Sequence, residues 1–152
     1  MSSRQSIPDK WLVIAKGPID AAGRLPLGSG LLLLQPTMLD HRRLRNLVRR
    51  RKLALVVEEP RVAARVHDSR ELRRALLART RFIFLSPLFP TSSHPDWRPL
   101  PRMRAATLAR LGGRRLIALG GMNERRFAEV APLGFIGWAG ISAWEKVPRA
   151  LP

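Results

Sequence analysis

Short, dry apolar runs recur along this chain, and segments of helical period separate most of them. That alternation restricts the fold to a parallel α/β sheet or barrel. Trp11–Ala15, Leu31–Gln35, Leu53–Val57, Ala64–His67, Phe82–Ser86, Leu116–Leu119 and Phe135–Ile141 read as strands, about seven in all. Asp20–Leu27 is weakly helical, broken by Gly and Pro. His41–Arg51 reads as a helix capped by Asp40, with Leu44, Leu47 and Val48 on one face. Arg70–Arg79, capped by Asp68 or Ser69, and Arg102–Leu111, ending at Gly112-Gly113, are two more. Asn123 caps a last helix through about Val130.

A (β/α)₈ barrel of the TIM type usually needs ~200 residues or more. This chain has 152, so the expected barrel is incomplete. The shortage has a location. Only Glu58–Ala63 separates two strands, whereas a parallel crossover needs roughly a dozen residues. Either a βα unit is missing near residues 58–63, or those two strands are not parallel neighbours. A single domain over residues 1–152 is expected, with residues 1–9 as a disordered N-terminus.

Composition narrows the class. The chain is 45% hydrophobic, enough for a real core, and has no cysteine, which excludes disulfides and thiolate metal sites. No apolar run approaches the ~20 residues of a membrane span. The first residues lack the pattern of a secretory signal, so a cytoplasmic protein is expected. The formal charge is +17. Lys occurs only at positions 10, 16, 52 and 146, so 24 of the 28 basic residues are Arg. Such a surface attracts polyanions, and guanidinium forks suit phosphate oxygens. Solvated helix faces account for the same charge.

Three segments carry chemistry. In Ser86-Pro87-Leu88-Phe89-Pro90-Thr91-Ser92-Ser93-His94-Pro95, a buried strand runs into a loop stiffened by proline. Its hydroxyls at Thr91 and Ser93 can donate to phosphate oxygens. In LIALGGMN, Gly120-Gly121 ends a buried strand and Asn123 opens a helix, which offers unpaired N–H groups. In GWAGISAW, Gly140, Ile141 and Ser142 follow the last strand, and their N–H groups can complete the same cup. Barrels often place a phosphate between their last two βα loops. Taken singly, the first segment also reads as a plain Pro-rich loop and the second as a tight βα turn.

As a set, in this order and spacing, the segments resemble the C-terminal half of the thiamine phosphate synthase family and its thiazole tautomerase relatives. The resemblance is good over roughly residues 64–144. It implies a (β/α)₈ barrel that joins a pyrimidine pyrophosphate to a thiazole phosphate, with Mg²⁺, and releases pyrophosphate. It implies that Thr91 and Ser93 contact the thiazole phosphate, and that Gly121, Ile141 and Ser142 form the backbone cup, with Gly120 and Gly140 beside them. His67, in Arg65-Val66-His67, matches the strand-end His that is the acid/base of the tautomerases. Imidazole suits that task. A strand-end His bonded only to backbone is the alternative.

The chain also departs from the family. His94 stands where the synthase has a pyrophosphate-binding Lys, and Arg65 stands in place of a Ser. Gln35-Pro36-Thr37 replaces an Arg and Lys after the second strand. Glu58-Glu59 occupies the region of the first Mg²⁺ aspartate. The second metal aspartate falls in the missing unit. The resemblance thus makes His67, His94 and Arg65 the catalytic candidates and Glu58 and Glu59 the metal candidates.

Two other functions compete with synthesis of thiamine phosphate. One is a relative that binds thiazole phosphate or thiamine phosphate, as a tautomerase or without catalysis. The other is a basic nucleic-acid-binding module, which requires Arg42, Arg43, Arg45, Arg49, Arg50 and Arg51 to share an exposed face. Their helical spacing spreads them over several faces, and no aromatic residues interleave for base stacking. An apolar patch left where the barrel lacks a unit would favour a homodimer.

Overall fold

The computed structural model describes residues 7–16, 19–35 and 41–144. Seven parallel strands form one sheet: β1 (Lys10–Ile14), β2 (Gly30–Leu33), β3 (Ala54–Val57), β4 (Ala63–Val66), β5 (Phe82–Leu85), β6 (Leu116–Leu119) and β7 (Gly137–Gly140). The helices are α1 (His41–Arg51), α2 (Ser69–Leu77), α3 (Arg102–Leu111) and α4 (Glu124–Val130). The weakly helical stretch after β1 is a 3₁₀ turn over Asp20–Arg24. The spatial order is β3-β2-β1-β7-β6-β5-β4. First and last strands are thus neighbours, and the sheet curls into a nearly closed barrel.

Strand alternation builds the barrel from the inside. Trp11, Val13, Leu32, Val56, Ala63, Phe82, Phe84, Ile117, Leu119 and Ala139 form one interior cluster to which all seven strands contribute. Trp11 plugs its lower end, with ring centroids 5.0 Å from Phe82 and 5.3 Å from Phe84. The plug needs Gly30 on the paired strand, because a Cβ there would sit 2.1 Å from the indole. Two outer clusters complete the packing. One sets α2, α3 and α4 against β4–β7, and the other sets α1 and the 3₁₀ turn against β1–β3. Leu44 is buried in the latter, with Leu47 and Val48 packed against it.

The break lies between β3 and β4, which do not pair. The two strands are therefore not parallel neighbours, and the strand count is one short of eight, as a missing βα unit leaves it. Glu58 N–H still donates to Leu33 of β2, at 3.1 Å, while Phe82 N–H donates to Val62, at 2.9 Å. In five residues the chain passes from the neighbourhood of β2 to that of β5. A tight turn makes this possible, since Glu59 C=O accepts from Val62 and Ala63 N–H. The buried Thr80 hydroxyl anchors the turn by donating to Pro60 C=O. No crossover helix follows β3, and Leu55 on its outer face is 38% exposed.

Residues 1–6 of the expected disordered N-terminus lie outside the described residues, and Pro8 and Asp9 are tied to the barrel. Pro8 C=O accepts from the Trp11 indole at 2.8 Å, and Asp9 C=O accepts from Trp138 N–H at 2.9 Å. Asp68 and Asn123 cap α2 and α4 as expected, accepting from Glu71 N–H and Arg126 N–H. The proposed Asp40 cap, Pro36 and Thr37 lie outside the described residues.

Candidate functional site

The C-terminal ends of the strands open into a cleft with a cavity volume of about 120 Å³. Val13, Leu34 and Leu119, from the upper interior layer, make an apolar floor. Arg65, Thr91, Ser93, His94, Gly120, Gly121, Gly140, Ile141 and Ser142 form the walls and rim. These nine residues come from four loops or strand ends far apart in sequence. Glu58, Glu59 and His67 do not line the cleft.

Two glycines bring the hydroxyl loop to the cup. Gly120 and Gly121 have φ of 96° and 61°, a region that disfavours side chains. A Cβ on Gly121 would lie 2.2 Å from Pro90 C=O, and one on Gly120 would lie 2.8 Å from Pro87 Cα. The loop can therefore dock flush on the end of β6. Leu88 N–H and Phe89 N–H donate to Leu119 and Gly120 C=O, at 3.0 and 3.1 Å. Arg126 braces the same turn, donating to Gly121 C=O while its guanidinium lies 5.0 Å above the Phe89 ring. Thr91 Oγ1 accepts from Ser93 N–H at 3.3 Å, which orients the Thr91 hydroxyl at the rim. The helix behind the cup, α4, is only seven residues long.

On the other side, Arg65 projects from β4 toward the break in the barrel. Its Nε and Nη2 donate to Glu58 Oε1 and Oε2, at 2.8 and 3.0 Å. Both side chains are about one-third exposed or less. A bidentate fork of this kind has the geometry of a strong charge-assisted pair. It commits both Glu58 oxygens to Arg65. Glu59 is exposed. Among the described residues, no three His, Asp or Glu side chains converge as metal ligands. Of the two metal candidates, Glu58 is thus charge-neutralised by Arg65, and Glu59 stands outside the cleft.

His67 sits just past β4, outside the cleft. One oxygen of Glu71 accepts from both its backbone N–H, at 2.7 Å, and its Nδ1, at 2.9 Å. Beside an ionised Glu71, Nδ1 is the donor of this bond. Nε2 is buried without a protein partner. Between His67 and the cleft stands Trp97, a cleft-lining residue that sequence reasoning missed. Its ring stacks on His94, with centroids 4.2 Å apart and planes 12° apart, and meets His67 edge-on at 5.3 Å. The only sequence signal for it was an aromatic residue three positions after His94 in a loop.

On α1, Arg42, Arg43, Arg45, Arg49 and Arg50 are exposed. Arg43 pairs with Asp20, and Arg51, half-buried, donates to Leu25 C=O. Among the described residues, no helix is long and apolar enough to cross a membrane.

Residues 45–144 match the family model described as thiamine monophosphate synthase. No curated protein sequence matches the chain. Among solved structures, the chain is similar to thiamine phosphate pyrophosphorylase from Bacteroides thetaiotaomicron, with a TM-score of 0.60 and 16% identity. That match covers 95% of this chain and 88% of the other. At this identity the likeness speaks for the fold.

Proposed function

The chain belongs to the thiamine monophosphate synthase family, and from that premise we propose that its cleft binds a phosphorylated thiazole in thiamine biosynthesis. The observation that carries this reading is the convergence of Thr91, Ser93, Gly121, Ile141 and Ser142 on one cleft. Two hydroxyls and a run of backbone N–H groups suit a phosphate monoester. The apolar floor of Val13, Leu34 and Leu119 suits an uncharged ring.

In the coupling reaction, the bond from the pyrimidylmethyl carbon to the bridging oxygen breaks, and pyrophosphate leaves with the electron pair. The thiazole nitrogen then captures the carbocation with its own lone pair. The chain's own contribution is to hold the thiazole by its phosphate, with the nitrogen facing the second substrate. Arg65 and His94, which line the same cleft, are the cationic and titratable groups available to the departing charge. A cytoplasmic location fits such a role.

A second reading draws on the Glu58–Arg65 fork and on His94. With both Glu58 oxygens occupied and a His in place of Lys, the pyrophosphate side is weak. The protein then binds thiazole phosphate or thiamine phosphate without coupling. If it is a tautomerase, His67 Nε2 moves the proton, and Trp97 must shift to admit the ring.

Calorimetric titration with thiazole phosphate and thiamine phosphate tests the binding. Incubation of both coupling substrates, followed for thiamine phosphate, tests the reaction. Binding with product formation supports coupling. Binding without product supports the second reading, and failure to bind either phosphate overturns both.

A further inference from the structure

We infer that Glu58 is a positioning residue for Arg65 rather than a metal ligand, and that the cleft takes its phosphate monoester without Mg²⁺. The inference rests on the phosphate reading of the cleft.

The argument begins at the break in the barrel. Glu58 follows β3 and Arg65 lies on β4, the two strands that have lost their common neighbour. In strand alternation Val56 and Ala63 point inward, so Glu58 and Arg65, two residues on, also face the barrel interior. Backbone pairing cannot close the gap there, and the fork spans it instead. Glu58 Oε1 and Oε2 take Nε and Nη2 at 2.8 and 3.0 Å.

A guanidinium has five N–H donors on a rigid plane. The fork uses one edge of that plane and fixes its orientation. Nη1 keeps its donors uncommitted, since Arg65 makes no other protein hydrogen bond among the described residues. Arg65 lines the same cleft as Thr91, Ser93 and Ser142. An anion held by those hydroxyls meets a cation whose rotamer is already paid for in the free protein. A permanent, pre-oriented cation on this rim is the alternative to a metal bridging phosphate and carboxylate. With Glu58 neutralised by the fork, a Mg²⁺ on the same carboxylate would sit close to the permanent guanidinium charge and be repelled by it.

The two roles predict opposite signs. If Glu58 only adds negative charge near the site, Glu58→Gln removes repulsion and anion binding strengthens. If it positions Arg65, Glu58→Gln weakens binding despite the lost repulsion. Glu58→Asp keeps the charge but is too short to hold the fork, and it should weaken binding as well.

The experiment titrates inorganic phosphate and thiazole phosphate into the wild type, Glu58→Gln, Glu58→Asp, Arg65→Gln and the Glu58→Gln/Arg65→Gln pair. Each titration is run in EDTA and in Mg²⁺, below the unfolding temperature of every variant. We expect wild-type binding to be the same with and without Mg²⁺. Both Glu58 variants should weaken it by on the order of tenfold, and Glu58→Gln should add nothing once Arg65 is Gln. Glu58 variants with wild-type or tighter affinity would leave Glu58 as a seam contact only and overturn the inference. A Glu58→Gln loss confined to Mg²⁺ would make it a metal ligand and overturn it equally. Inorganic phosphate separates the two levels. Binding of it with the expected variant pattern, but not of thiazole phosphate, sinks the thiazole reading and leaves the inference standing. Binding of neither sinks both.

Discussion

His67 and Glu71 are joined twice through one carboxylate oxygen, at 2.7 Å from the His67 backbone N–H and 2.9 Å from Nδ1. The backbone bond fixes the carboxylate, and the carboxylate fixes the ring. Nitrogen-15 NMR of the neutral ring should therefore find the proton on Nδ1. Glu71→Ala should produce a tautomer mixture and cut any tautomerase turnover by about tenfold or more. Unchanged ring nitrogen shifts in that variant would show that Glu71 does not choose the tautomer.

Gly121 is the most constrained of the glycines that line the cleft. With φ of 61° and Pro90 C=O 2.2 Å from its would-be Cβ, Gly121→Ala must push the Thr91 loop off the end of β6. Phosphate affinity should fall by about tenfold, and stability by about 1–3 kcal/mol. Titration and urea unfolding check the two halves. A variant that binds normally would mean that the loop position is immaterial to the cup.

His94→Lys puts a permanent cation at the rim where His94 stacks on Trp97. Pyrophosphate affinity should rise by several-fold and fall again with added salt, as expected for a partly exposed charge. Competition titration reads this directly. No gain would place the pyrophosphate side elsewhere.

Trp11 is wholly buried and closes the barrel floor. Trp11→Ala should cost about 3–5 kcal/mol. Gly30→Ala, which drives a methyl into the indole, should cost about 1–3 kcal/mol. Chemical denaturation of the two variants and their double tests the contact. Independent, additive losses would contradict a direct clash.

Asp68 caps α2, and the Glu71 N–H that donates to it holds its carboxyl below the usual carboxylate range. A folded value below the unfolded one means that the unfolded chain binds the proton first. The cap's contribution is therefore complete above the unfolded value and disappears as pH falls through the lowered one. Asp68→Asn keeps a capping oxygen but cannot titrate. Its unfolding free energy should lose less between neutral and acidic pH than that of the wild type. Parallel pH curves would exclude Asp68 as a contributor.

The local chemistry of this protein was legible in its residues. The strands from Phe82 and Leu116, the helix Arg102–Leu111, and the caps at Asp68 and Asn123 follow from apolar period and short-range hydrogen bonding. These signals act within a few residues, so a linear reading captures them. The shortfall at residues 58–63 was legible too, because the reach of a backbone is fixed by its length. Tertiary structure decided the rest. That Glu58 clasps Arg65, that Trp97 stands between His67 and His94, and that Gly121 admits Pro90 are contacts between segments separated in the chain or folded back on themselves. Each depends on where a curled sheet brings its strand ends. Side-chain type alone does not say whether a glutamate meets a metal or a guanidinium. The distance across the unpaired strands decides it.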